Sequence, residues 1–260
     1  MRFAWLCLLC VISAVSAQAA ETLHVALDDY CPYYCKAPSQ AQTQLAPQPG
    51  FVIEILQYAF GKDPAAIEYH FRPWKRGLQD VRQGKLDALV MVTHSEAPDL
   101  IFPQQAQAKS EGCYYTREDN HWHYQGVESL PQVRLTLGNG YDYSEPLNSY
   151  LKTAATESNV SYLSGNEVLS RIFQMIKLGR TEATMDDSAV ADHLLMKSGL
   201  NQSIRKAGCS PNTIDFYVGF SPKNPASAAR AETLSKAMLE LRSSGQLEQI
   251  LARYGVKDWK

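Results

Sequence analysis

Cysteines, a histidine pair and one tryptophan are the residues here whose types and spacing could do chemistry. Arg2, the apolar run 5–15 and the small-x-small stretch Ala17-Gln-Ala19 read as a secretory signal cleaved after Ala19. That cleavage removes Cys7 and Cys10 and leaves Cys31, Cys35, Cys113 and Cys209. Zinc ligation lacks support, because neither a second close cysteine pair nor a histidine at ligand spacing follows Cys31 and Cys35. An even count in an oxidising compartment points to two disulfides. Three pairings are open, and Cys31–Cys35 is favoured as an easily closed small loop, which leaves Cys113–Cys209. His121-Trp-His123 lies in a polar run and reads as an exposed loop, so no metal and no cofactor is expected. Trp74, with Lys75 and Arg76 beside it, follows Pro73 at a strand end, where ligands of open α/β sheets bind.

The elements that position these residues follow from the pattern around them. The stretch Phe71 to Val90 reads as strand end, polar loop carrying Trp74, short amphipathic helix, glycine stop and buried strand. Leu78, Val81 and Leu86 share one side, Gly84 suits the position after a helix, and 87–92 is apolar like a strand covered on both faces. Gly179-Arg-Thr-Glu-Ala183 echoes Gly84-Lys-Leu-Asp-Ala88, which suggests two lobes on one α/β plan. Further strands are expected at 23–27, 67–71, 112–116, 133–137, 161–163 and 214–220. Helices are expected at 50–60, after an N-cap at Ser144 with Pro146 in the first turn, and from Val168 behind a capping box Ser164-x-x-Glu167. Others run from Asp187 or Ser188 to 197, then over 225–241 and 246–254. The run 117–126 reads as a loop or hairpin, and the Pro/Gln/Ala-rich run 37–49 as a surface loop.

The 260 residues carry a formal charge of −2 and no basic block, which sets nucleic acid aside. No stretch after the signal approaches a membrane span, so an exported soluble protein is expected.

The order of these motifs resembles the family 3 periplasmic solute-binding proteins, the receptors of polar amino-acid uptake systems. The resemblance rests on the acidic-aromatic loop after the first strand, Gly50-Phe-Val-Ile-Glu-Ile55, the two glycine motifs above, Leu137-Gly-Asn-Gly-Tyr141, Asp187, the return strand Tyr217-Val-Gly-Phe220, and Leu241-Arg-Ser-Ser-Gly245 to Tyr254-Gly255. Pro73-Trp74 with Arg76 looks like a subgroup that often occurs without an obvious transporter. The resemblance implies an α/β, two-lobe type II periplasmic-binding-protein fold, each lobe a mixed sheet flanked by helices, joined by two crossing strands and closing like a hinge. Lobe 1 would be 20–116 plus 219–260, and lobe 2 would be 117–218. A monomer is expected, partnered by a membrane permease or a sensor protein.

In such a site the ligand lies between strand ends of both lobes. The resemblance and the residue types together nominate Asp28, Tyr30, Trp74, Arg76, Thr93, Glu96, Asn139, Tyr141 and Asp187 as ligand-binding. Asp187 sits where the family places the acid that takes a ligand ammonium; its plainer role is N-cap of the helix at Ser188. Tyr30 and Trp74 would pack the apolar or cationic part, Asp28 and Asp29 add negative charge, and backbone N–H groups around Gly138-Asn-Gly140 would take an anion. One departure stands out. The arginine that clamps the α-carboxylate in amino-acid binders is absent from Met91-Val-Thr-His-Ser-Glu-Ala-Pro-Asp99, where Glu96 or Ala97 takes its place. Arg72 and Arg76 are the possible replacements, and a cationic ligand becomes a candidate. An enzyme on this scaffold would have to draw on His94 and Glu96, the only acid–base pair in that region, and no nucleophile–base–orienter set is visible.

Overall fold

The computed structural model describes residues 22–28, 30–37, 45–63, 65–139, 141, 143, 145–152, 159–165 and 167–260. The signal segment, Asp29, Gly140 and the N-cap expected at Ser144 lie outside the described residues. The chain first builds β1 (Leu23–Leu27), α1 (Phe51–Phe60), β2 (Ile67–Phe71), α2 (Trp74–Arg82) and β3 (Ala88–Val92). β4 (Ala108–Arg117) then crosses into a second set: β5 (Leu135–Gly138), α3 (Leu147–Leu151), β6 (Val160–Leu163), α4 (Val168–Lys177), β7 (Ala183–Asp187) and α5 (Ser188–Ser198). β8 (Ile204–Phe220) returns to the first set, and α6 (Ser227–Ser243) and α7 (Gln246–Ala252) close the chain against it.

The strand order is β2-β1-β3-β8-β4-β7-β5-β6. Pairing is parallel in β2-β1-β3 and in β7-β5-β6, and antiparallel wherever β8 and β4 take part. Two parallel-type lobes are thus joined through two long crossing strands, the expected mixed α/β plan. All five residues of β3 are buried, as a strand with helices on both faces must be. On one face Phe51, Val52, Ile55 and Leu56 of α1 pack with Met238 and Leu241 of α6. On the other, Leu78 and Val81 of α2 pack with Ala26 and Leu89. In the second lobe the same division shows along β4: Tyr114 joins the cluster of Leu130, Leu135 and Leu137, while Cys113 and Tyr115 join Ile172, Phe173 and Leu195.

Both disulfides form, Cys31–Cys35 and Cys113–Cys209. The second joins β4 to β8 at a paired register position. Among the described residues no helix is long and apolar enough to cross a membrane.

Several local expectations are corrected. β8 starts ten residues before the expected 214, at Ile204. Pro211 hid this stretch, since proline is tolerated in a paired strand mainly at a bulge. The register does shift there, between Glu111↔Thr213 and Cys113↔Cys209. The capping box is not formed: α4 is preceded by Glu167 at φ 52° with no side-chain cap bond. Gly165 (φ 107°) turns the chain as well, and Ser164 instead accepts a bond from the Asn139 amide at 3.0 Å. Trp74 opens α2 rather than standing in the loop before it, and Pro146 precedes α3 rather than lying in its first turn. After Arg117 ends β4, residues 118–126 form turns and irregular backbone, the loop rather than the hairpin of the two alternatives expected there.

Candidate functional site

The loop after β1 is fixed from three sides. Cys31–Cys35 ties its ends, and Tyr34 N–H and Tyr33 N–H both reach the Tyr30 carbonyl, at 3.2 and 3.0 Å. Its carbonyls then cap α1, because Phe51 N–H donates to Pro32 O at 3.1 Å and Val52 N–H to Tyr33 O at 3.0 Å. Two donors that a helix start leaves unpaired are satisfied by the loop itself. Gly50 makes the close approach possible: at φ 101° a Cβ there would lie 2.4 Å from the Tyr33 carbonyl oxygen. Tyr33 packs on Phe51 with ring centres 4.9 Å apart, and Tyr30 stacks on Tyr33 at 5.6 Å.

These two tyrosines face two adjacent carboxylates of the other lobe. β7 ends in Asp186 and Asp187, and α5 starts at once. Asp187 caps α5, accepting from Val190 N–H at 3.0 Å. Its other oxygen accepts the Tyr33 hydroxyl at 2.8 Å and the Ser110 hydroxyl. Asp187 is thus buried and bonded on both oxygens, a joint between the lobes as well as an N-cap. Asp186 accepts Asp187 N–H at 2.8 Å, and the Tyr30 hydroxyl approaches it at 3.4 Å. It is less enclosed than Asp187 and is the freer acid of the two.

Between the lobes lies a cavity of about 80 Å³, walled by Tyr30, Tyr141, Asp186, Asp187, Ser210 and Asn212 among others. Gly112, paired with Asp187, leaves room for the Met185 side chain at this wall: a Cβ there would lie 2.1 Å from Met185 Cε. The β8 bulge brings Ser210 and Asn212 to this wall. Past Tyr30, Tyr141 and Asp186 the cavity meets a groove of about 870 Å³, running between the disulfide loop and the start of α4 and the outer face of α5. Two acids and no lysine or arginine line the inner cavity. Burial pushes the Asp186 carboxyl up to about 7, helped by the charge of Asp187 and opposed by its two hydrogen bonds. Burial raises Asp187 as well, against the bonds from Ser110, Val190 and Tyr33. Tyr30 and Tyr33 are held far above the usual phenol range by burial and then by these acids, so both stay neutral donors.

Of the nominated residues, Tyr30, Tyr141 and Asp187 meet at the cavity. Asp28 accepts the Tyr34 hydroxyl at 2.7 Å within its own loop. Trp74 packs on the cluster of Leu78, Val81 and Leu89 and does not line the cavity. Arg76 pairs with Asp80 one helical turn on, and Arg72 donates to the adjacent Phe71 carbonyl. Neither replaces the missing clamp at the inner cavity. Glu96 is turned back onto Thr93, accepting its N–H at 3.1 Å and its hydroxyl at 2.9 Å. In the turn after β5, Gly138 N–H donates to the Tyr143 hydroxyl oxygen at 2.6 Å and Asn139 N–H to Leu163 O at 2.9 Å, so these two of the donors nominated for an anion are engaged, while Gly140 lies outside the described residues. His94 lies against the rings of Phe102 and Tyr217, centres 4.1 and 4.5 Å away, and no histidine lines the inner cavity. Sequence reasoning missed Asp186 and Tyr33. The doublet Asp186-Asp187 at a strand end was the available signal for the first.

No family model matches the chain, and no curated protein does. Solved structures match across nearly its whole length. A histidine kinase sensor domain with similarity to periplasmic binding proteins superposes with a TM-score of 0.70 at 16% identity, covering 91% of this chain and 98% of that one. A structure from work on glutathione import through GshT and the cystine ABC importer TcyBC of Streptococcus mutans gives 0.72 at 14%, covering 91% and 96%. The amino acid ABC transporter substrate-binding protein AbpA from Streptococcus pneumoniae, bound to L-arginine, gives 0.68 at 19%, covering 90% and 94%. At these identities the likeness establishes the fold: a type II periplasmic-binding-protein fold of two α/β lobes.

Proposed function

We propose that this chain is an exported, monomeric receptor for a small organic cation, held between its two lobes and delivered to an ABC-type permease. One observation carries the reading: the inner cavity presents Asp186 and Asp187 and no basic side chain. A ligand carboxylate finds no guanidinium there, and the two backbone N–H groups of the neighbouring turn are already bonded. An ammonium or guanidinium instead meets Asp186, with the Tyr30 and Tyr141 rings beside it. Tyr141 would act at the mouth, with the charge of Asp28 near enough to be felt by its hydroxyl. The lobes run over 20–116 plus 219–260 and over 117–218, so that β4 and β8 are the hinge. The reading has no catalytic step.

A second reading has its own support. Trp74 packs on the core of lobe 1 rather than lining the cleft, and a kinase sensor domain shares the fold over 91% of this chain. In it the closed, liganded shape is passed to a membrane sensor instead of a permease. Both readings share the ligand test. Thermal unfolding of the chain without its signal is followed against amino acids, polyamines, small organic acids and short peptides. A ligand at about 100 times its dissociation constant adds about 2.7 kcal/mol. Shifts confined to cationic compounds are expected. Shifts confined to neutral or anionic compounds refute the cation reading.

A further inference from the structure

Away from the cleft, strand register brings together three metal-ligating side chains that the sequence scatters. β1 and β2 pair in parallel, with His24 opposite Glu68 and Ala26 opposite His70. Alternation along a strand puts His24, Glu68 and His70 on one face, while Val25, Ile67 and Tyr69 turn to the main core. β2 is the outermost strand, so this part of the face is partly open to solvent. The His24 Nδ1 and His70 Nε2 atoms lie 3.1 Å apart. Glu68 spans both rings, one oxygen 3.4 Å from His24 Nδ1 and the other 3.5 Å from His70 Nε2.

We propose that His24, Glu68 and His70 form a binding site for a divalent transition metal of the zinc class. The donor set is two imidazoles and a carboxylate, the three-ligand set of zinc sites that keep an open position. The spacing also fits. A tetrahedral ion with bonds of about 2.0–2.1 Å has ligands about 3.3–3.4 Å apart along each edge. The two imidazole nitrogens, 3.1 Å apart, lie close to one such edge, and Glu68 reaches each of them with a different oxygen at 3.4 and 3.5 Å, so its carboxylate stands beside the third ligand position. Coordination fixes the tautomers: His24 binds through Nδ1 and His70 through Nε2, leaving His24 Nε2 and His70 Nδ1 protonated. The fourth position faces outward and takes water. The other cluster of donor atoms among the described residues, Glu111 with Cys113 and Cys209, has both sulfurs in a disulfide and offers no thiolate.

The site is independent of the solute cleft, so its test needs no solute. The chain without its signal is stripped with chelator and titrated with zinc chloride by calorimetry, then with cobalt(II) read by visible absorption. One zinc per chain is expected, and intense cobalt bands of a low-symmetry four-coordinate ion. Glu68→Gln changes only a half-exposed side chain and should weaken zinc by roughly tenfold or more. His70→Ala should abolish the cobalt bands. The double variant His121→Ala/His123→Ala removes the other close histidine pair and should leave both signals unchanged. Zinc binding that survives Glu68→Gln at full strength, or that disappears with the His121/His123 variant, overturns the assignment. Absence of any zinc binding by the parent chain overturns it as well.

Discussion

Asp186→Asn isolates the electrostatic state of the cleft without needing a ligand. Asparagine keeps an oxygen for the Asp187 N–H and the Tyr30 hydroxyl, and it brings an amide donor beside Asp187. What it removes is a titration. The Asp186 carboxyl moves from 3.8 to about 7 on folding, mainly by burial. A raised carboxyl destabilises the fold when ionised. Below pH 4 both states hold the proton and nothing is lost. Between pH 4 and 7 the unfolded chain ionises while the folded chain does not, and folding becomes less favourable. Above pH 7 the loss is complete. Three units at about 1.4 kcal/mol each give a ceiling of about 4 kcal/mol. Asp186 keeps partial contact with the cleft, so about half, roughly 2 kcal/mol, is expected after screening. For a chain of this size that is a midpoint difference of about 4–8 °C. The assay is thermal unfolding of both proteins from pH 4 to pH 8.5. The variant should match the parent near pH 4 and exceed it by that amount at pH 8. A difference that is flat with pH, or that favours the parent at pH 8, refutes an enclosed and unpaired Asp186.

The same titration acts on binding. A cation needs the ionised acid, so its dissociation constant scales inversely with the ionised fraction of Asp186 and affinity should be about tenfold weaker at pH 6 than at pH 8; calorimetry at the two pH values checks it. Tyr33→Phe removes the hydroxyl that reaches Asp187 at 2.8 Å across the cleft. A bond to a charged partner contributes about 1.5–3 kcal/mol, so a lower unfolding midpoint and a larger radius of gyration by small-angle scattering are expected. The disulfides should differ in urea unfolding. Cys113→Ala/Cys209→Ala opens a loop of sequence separation 96 and should cost about 4–5 kcal/mol, and Cys31→Ala/Cys35→Ala, with separation 4, about 2 kcal/mol. Trp74→Ala should lower stability by about 3 kcal/mol through lost packing on Leu78 and Leu89 while leaving cation affinity unchanged, which a parallel melt and titration would show.

Much of the scaffold was legible because burial writes a period into the sequence. The run at 87–92 is apolar throughout and became β3, buried at every position. The helix from Val168 shows its inward face at Val168, Ile172 and Ile176. Glycines at 84, 179 and 199 marked helix ends because all three adopt positive φ. Legibility failed where a tertiary partner overrides the local pattern. The stretch 204–213 is polar, with Gly208 and Pro211, and only its pairing with β4 makes it a strand. Thr93 and Glu96 looked like cleft residues, but the four-residue turn between them satisfies the carboxylate locally. The position of Trp74 after Pro73 at a strand end suggests a ligand platform, and α2 carries it onto the lobe's own core instead. The acid pair was half legible: Asp187 follows from the motif, whereas the value of Asp186 depends on Tyr30 arriving from the opposite lobe. No spacing rule links Tyr30 to a residue more than 150 positions away.

The acid pair also explains why a cation would drive closure rather than merely fill a closed site. Bringing the lobes together places Tyr30 and Tyr33 over Asp186 and Asp187 and removes water from both carboxyls. Without a ligand that enclosure is opposed: burial raises both acids, and Asp187 raises Asp186 further. At neutral pH the closed form must either ionise Asp186 at a cost or hold a proton there. A bound ammonium relieves the same term, because an opposite charge favours the ionised carboxylate that burial disfavours. The ligand therefore has a differential interaction with the two shapes, which is the condition for shifting their populations. A tenfold ratio of open to closed in the free protein, converted to tenfold closed, requires about a hundredfold preference, or about 2.7 kcal/mol. That lies within the roughly 2–4 kcal/mol by which the Asp186 shift disfavours the ionised carboxyl. An anionic solute would add to the repulsion and favour an open form, so on the proposed reading the charge that the cleft would select and the motion that it would drive follow from the same two side chains.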